Sequence, residues 1–223
     1  MQSVTIVDYT KKEEFFNTLT HAIGAVASVF VMIFCLVGAV RIGNPLRTVC
    51  AVVFGLSMII MYTASAVYHG VKPGRLKKIC RVIDHCMVFL AIAGCATPSA
   101  ALLFDYEPLL AKIMWTTAWG CFTAGILMTM INFEKTKPFR LAFTLISGIT
   151  LAFTGIKPMT ELFPVGTLIT VFGGGAAYIL GMVLYAAGKK VRYCHSIFHV
   201  FVLIGSAFHS FGIWYYIYSA AAL

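Results

Sequence analysis

The chain alternates long apolar runs with short charged punctuation, and this pattern predicts seven membrane-crossing helices. Residues 1–14 are polar and end in KKEE; an apolar run over 15–40 follows and stops at Arg41. Further runs cover 46–69, 82–104, 109–131, 139–156, 165–187 and 194–218. Most are close to the roughly 20 residues that a helix needs to cross a bilayer. The connections RIGNPLR, KPGRLKK and FEKTKP hold Pro, Gly and charge, as turns between antiparallel helices do. The fifth run is the shortest, closed by Lys157-Pro158. The expected fold is an all-α membrane protein: a polar N-terminal segment (1–14) and one seven-helix transmembrane domain (15–223).

Composition fits this reading. Hydrophobic residues make up 60% of 223, charged residues only 11%, and mean hydropathy is +0.90. Soluble domains carry roughly 25% charged residues, so a separate soluble domain is not expected. The net charge of +9 is then a topology signal rather than a nucleic-acid footprint. Arg41, Arg47, Lys112 and Lys157 fall on one side of the seven-span arrangement, and the other thirteen of 17 Lys and Arg fall on the opposite side. Basic residues stay in the cytoplasm, which puts the N-terminus inside and the C-terminus outside a cell membrane. Trp214, Tyr215, Tyr216 and Tyr218 are then expected at the outer interface. None of the seven cysteines forms a CxxC pair, and most lie in apolar runs, as reduced, buried thiols do.

The candidate chemistry gathers at one depth. His195 and His199 are four apart, hence stacked on one helix face, a spacing that suits two imidazoles on one metal ion. His69 closes the second run at the same inner side, with Ser65 one turn deeper. Asp84 and His85 lie about a turn into the third run, and Glu14, Asn17 and His21 open the first. A carboxylate inside a span is expensive and faces a partner, a cavity or a proton path; Asp84 is the one clearly so placed. His69, His195 and His199 would hold zinc and leave a fourth tetrahedral position open. Asp84 would then be a general base or hydrogen-bond acceptor, and Ser65 a donor to water or to a substrate carbonyl. His21, His85, His209, Glu14 and Asn17 are supporting or relay candidates. His209, about 15 Å beyond His199 at the usual rise per residue, cannot share their ion. Cys80, Cys86 and Cys194 are rival ligands that share no i, i+4 helix face with a histidine.

These same segments carry a resemblance. EEFFNTLTH (13–21), SAVYH (65–69), DHCMVFLAIAGCATP (84–98) and HSIFHVFVLIGSAFH (195–209) resemble the motifs of the hemolysin III family, the bacterial branch of the progestin and adipoQ receptors, within a superfamily that includes alkaline ceramidases. The resemblance covers nearly the whole chain. It implies seven helices with the N-terminus inside, an intramembrane zinc and hydrolysis of lipid amides. The superfamily's Ser-x-x-x-His falls on Ser65 and His69, its third-span Asp on Asp84, and its His-x-x-x-His on His195 and His199. The family's name implies cytolysis.

Three functions stay open on the sequence: a zinc-dependent hydrolase of lipid amide or ester bonds, a receptor-like or membrane-stress protein with structural zinc, and a cytolysin or ion pathway. Membrane lipids are the expected partners, as substrate or ligand; nucleic acid is not. The charge distribution makes a direct prediction. Reporter fusions at Leu223 are expected to read as non-cytoplasmic, and a cytoplasmic signal there would overturn the orientation.

Overall fold

The computed structural model describes residues 4–162, 164–187 and 191–219; Lys189, Lys190 and Leu223, used above for orientation, lie outside them. Among the described residues the chain is helical: α1 (Lys11–Ile42), α2 (Pro45–Gly70), α3 (Arg75–Leu103), α4 (Pro108–Ile131), α5 (Lys137–Thr154), α6 (Ile156–Leu162), α7 (Val165–Ala187) and α8 (Cys194–Ile213), which runs into a π-helical turn, Trp214–Tyr218. Seven of these are long, and six of the seven are long and apolar enough to cross a membrane. α5, with Lys137 and Arg140 in its first turn, is the seventh.

Local chemistry explains the boundaries. α1 starts four residues before the apolar run because Thr10 and Glu13 form a capping box: the Glu13 N–H donates to Thr10 Oγ1, and the Thr10 N–H donates back to Glu13 Oε2. The polar residues 11–14 are thus the first turn of the helix. α1 ends at Gly43, which takes the left-handed conformation of a helix stop. Asn44 then caps α2, with Pro45 at its first position. The fifth run breaks earlier than its composition suggests. Pro158 has no N–H to continue α5, so the chain turns at Gly155 and restarts as α6.

α1 packs against α2 and α8, α2 against α3, α3 against α4, and α7 against α8. One apolar core lies between α1, α2 and the end of α8, around Cys35, Phe54, Met58, Tyr62 and Ile217. A second joins α3 and α4 through small residues, Ala93, Ala100, Ala111 and Ala118. Large apolar side chains elsewhere, such as Phe30, Val40, Ile60 and Met130, point outward, as they should when lipid is the solvent. Polar bonds knit the helices: Trp119 Nε1 donates to Thr97 Oγ1 at 3.2 Å, joining α4 to α3.

At the end of α8 Tyr218 is buried within the protein: the π-turn carries it over Gly38 of α1, and its hydroxyl donates to the Arg47 carbonyl at 3.1 Å. α1 and α8 are therefore parallel, touching at both ends, because Glu13 at the start of α1 accepts the Tyr193 N–H just before α8. A side chain at residue 38 would meet the Tyr218 carbonyl, whereas one at Gly120 meets nothing within 4 Å. Gly38→Leu is expected to cost at least the 1–3 kcal/mol of ordinary overpacking and to lower the Tm of the detergent-purified protein. Gly120→Ala should leave Tm unchanged or raise it slightly. Equal Tm values for the two variants would contradict the close α1–Tyr218 approach.

Candidate metal centre and the polar layer around it

The site sits at the end of the bundle where α1 and α8 begin and α2 finishes. His69 occupies the last turn of α2, and His195 and His199 the first two turns of α8. Tyr193, held in the left-handed conformation (φ 63°), turns the chain into α8. Its N–H bond to Glu13 at 2.8 Å fixes where the helix begins. The start of α8 is thus set by α1.

The three imidazoles converge and are almost fully buried, at 2%, 9% and 1% exposure. His195 Nε2 lies 3.3 Å from His69 Nε2 and 3.1 Å from His199 Nε2, and one nitrogen from each ring falls within 4.8 Å of the others. Tetrahedral zinc with bonds of about 2.0–2.1 Å holds its nitrogens about 3.3–3.4 Å apart, so the two short separations match the edges of such a polyhedron. A donor set of three imidazoles fits zinc and other borderline divalent ions. The residues can hold a metal ion.

The outer contacts strengthen this fit. Glu14 Oε2 lies 2.6 Å from His69 Nδ1. A carboxylate only accepts, so His69 carries its proton on Nδ1 and leaves Nε2 as a lone pair facing the other two rings. Ligand histidines are commonly oriented in this way. Glu14 Oε1 is in turn paired with Lys77 Nζ at 2.7 Å. Lys77 is 1% exposed, and its ammonium also donates to the carbonyls of His69 at 3.3 Å and Val71 at 3.0 Å. These groups sit at the negative end of α2, where a cation is favoured. Asn17 Nδ2 is 3.4 Å from His69 Nδ1, while Asn17 Oδ1 has no hydrogen-bond partner.

Asp84 and Ser65 stand beside His69. Ser65, one turn below it on α2, lies near the Asp84 carboxylate of α3, and Asp84 is within electrostatic reach of His69. His21 stacks on His199 with centroids 3.8 Å apart, and neither of its ring nitrogens has a hydrogen-bond partner. The structure separates the other two candidates. His85 packs edge-on against Phe133 at 4.9 Å and is not among the three metal-competent rings, and His209 stacks on Tyr178 at 5.6 Å in the opposite half of the bundle. The cysteines are free thiols, and none joins the metal-competent group.

Sequence reasoning missed Tyr9 and the role of Lys77. Tyr9 stacks on His195 with centroids 4.9 Å apart and planes at 17°. Burial pushes its phenol well above the usual range, so it stays protonated. The segment that carries it is pinned at Thr5, whose N–H and hydroxyl donate to Glu134 Oε1 at 3.0 and 2.7 Å. Arg81 bonds both Thr5 and Glu134. Burial would raise the Glu134 carboxyl, but the Thr5 bonds and the Arg81 charge hold it below the usual range. No fixed spacing marks Tyr9 in the sequence, and Lys77 is one of five basic residues in a loop that reads as a topology signal.

The fold and site define a multi-pass helical membrane protein with a buried three-histidine centre at the end of the bundle rich in Lys and Arg. The chain belongs to the family described as Haemolysin-III related, which it matches over residues 9–210. It is 29% identical to a hemolysin-3 homolog of Bacillus subtilis (strain 168) over 208 residues, 93% of this chain and 96% of that protein. It is equally similar, at 29% over 215 residues, to hemolysin-3 of Bacillus cereus, covering 95% and 94% of the two chains. The human monocyte to macrophage differentiation factor is 25% identical over 209 residues, 89% of this chain and 84% of that protein. Membership in this family places the chain in a cell membrane.

The geometry predicts metal content. The double variant His195→Ala/His199→Ala is expected to purify without the metal that the wild type carries, measured by elemental mass spectrometry. Glu14→Gln should weaken metal binding by roughly 10–100-fold through loss of the group that orients His69. Full metal stoichiometry in a folded double variant would sink the assignment.

Proposed function

We propose that the protein is a zinc-dependent hydrolase of lipid amide or ester bonds, working at the Lys/Arg-rich end of the bundle. The observation that supports this most directly is the buried three-imidazole centre, with the Asp84 carboxylate within electrostatic reach of His69. Structural sites are closed by four protein ligands, whereas catalytic ones use three. A zinc ion held by His69, His195 and His199 would supply Lewis acidity toward a substrate carbonyl and toward water.

The chain's own residues divide the remaining work. Asp84 accepts the proton of the attacking water on a carboxylate oxygen and returns it to the leaving amine or alcohol. As the bond from water oxygen to acyl carbon forms, the bond to the leaving group breaks, and a carboxylic acid is released. Ser65 holds the Asp84 carboxylate in position through its hydroxyl. Glu14 and Lys77 fix the His69 ring. Tyr9, stacked on His195, shields the centre from the aqueous side, which favours a substrate arriving from the membrane.

That shielding also supports a second reading, a receptor-like protein in which zinc is structural and ligand binding moves the helices. The two separate in an assay with purified protein and a panel of lipid amides and esters. Asp84→Asn is expected to keep its zinc and lose turnover by roughly 10²–10⁴, the scale for removing a general base. Ser65→Ala should cost much less, roughly one hydrogen bond. If the wild type cleaves nothing that the double histidine variant spares, the hydrolase reading fails and the structural-zinc reading replaces it.

A further inference from the structure

A second feature lies on the outside of the bundle at the same end. Between the first turns of α1 and α8 runs a groove of about 450 Å³, lined by Lys11, Lys12, Phe15, Phe16, Ser196 and Ile197, with Tyr193 at its edge. The walls are almost wholly apolar, and Phe15, Phe16 and Ile197 are all exposed, Phe15 at 69%. Apolar surface of this kind on a membrane helix faces acyl chains.

The polar groups point to a particular headgroup. α1 and α8 both begin here, so the positive ends of two parallel helix dipoles meet at one place. Lys11 and Lys12 add two ammonium groups in the first turn of α1, where cations are disfavoured unless an anion compensates them. The two acids of that turn do not serve. Glu13 is engaged by Thr10 and the Tyr193 N–H, and Glu14 by His69 and Lys77. Neither Lys11 nor Lys12 takes part in an ion pair among the described residues. At the inner wall, Ser196 is 3% exposed and its hydroxyl has no hydrogen-bond partner. A buried hydroxyl left unpaired costs about 1–3 kcal/mol, and a phosphate or ester oxygen in the groove would satisfy it.

We propose that this groove binds one anionic glycerophospholipid from the surrounding leaflet. Its phosphate lies against Lys11, Lys12 and the helix ends, an ester or phosphate oxygen accepts from Ser196, and an acyl chain lies along Phe15, Phe16 and Ile197. This site is distinct from the basic α2–α3 loop, whose Lys72 and Arg75 do not line the groove. Ser196 adjoins His195, so an occupied groove places a lipid next to the metal centre. The binding claim holds whether or not that centre is catalytic.

Native mass spectrometry of the detergent-purified, metal-loaded protein tests it, with 1-palmitoyl-2-oleoyl phosphatidylglycerol or the matching phosphatidylcholine added at equal concentration. Wild type is expected to keep one phosphatidylglycerol molecule in several-fold preference. Lys11→Gln/Lys12→Gln should reduce that retention by roughly tenfold, given the attraction of each basic residue for an anionic surface. Ser196→Ala should reduce it a few-fold with metal content unchanged. Lys72→Gln/Arg75→Gln removes the same charge from the exposed α2–α3 loop and should leave retention intact. Equal retention of the two lipids, or equal losses in the two charge variants, would overturn the site. Displacement of the lipid by glycerol 3-phosphate at equal concentration would overturn the lipid assignment.

Discussion

The structure depends on one buried ion pair. Glu14 and Lys77 meet at 2.7 Å at the end of an apolar bundle, where Lys77 is almost completely enclosed. Burying either charge alone costs several kcal/mol, and the pair is tolerated only when its remaining hydrogen-bonding capacity is met. Here the ammonium also holds two carbonyls at the end of α2, and the second carboxylate oxygen holds His69. The bonds join three helices, and the full set forms only when all three have reached their places.

From that constraint the geometry of the site follows. Glu14 can reach His69 because α1 begins at Lys11, and α1 begins there because Thr10 and Glu13 cap it. Glu13 then accepts the Tyr193 N–H and sets the first turn of α8, which places His195 and His199 opposite His69. The opposite end of the same helix pair is closed by Tyr218 over Gly38. Three rings from two distant segments are thereby held with nitrogens about a coordination edge apart. Such precision is hard to obtain from loops, and here it comes from helix starts locked to one another.

The polar layer is also where this protein spends its conformational specificity. Elsewhere the helices meet mainly through apolar side chains and small residues, with few polar bonds between them. At the Lys/Arg-rich end a shift of one turn, about 5.4 Å, would strand a charge. Tyr9 and the Thr5–Glu134–Arg81 bonds extend the layer outward and cover the centre from the aqueous side.

Much of this was written in the sequence. Seven apolar runs, the basic asymmetry and the i, i+4 pair His195/His199 follow from periodicity and spacing, which are local properties of the chain. The resemblance to the hemolysin III family rests on the same local segments, and the family match over 9–210 agrees with it. Tertiary structure decided the rest. Lys77 reads as one more loop charge until the fold turns it inward, and Tyr9 reads as part of a polar tail. Tyr218 reads as one of a cluster of aromatic residues, and it is the π-turn directing it at a glycine that buries it in the protein. His85 and His209 share the sequence credentials of the other histidines, yet their helix faces point them at Phe133 and Tyr178. The physical reason is the same in each case. Hydrophobic period fixes that a helix exists and roughly where it ends, but the rotation of that helix about its axis is set by its neighbours.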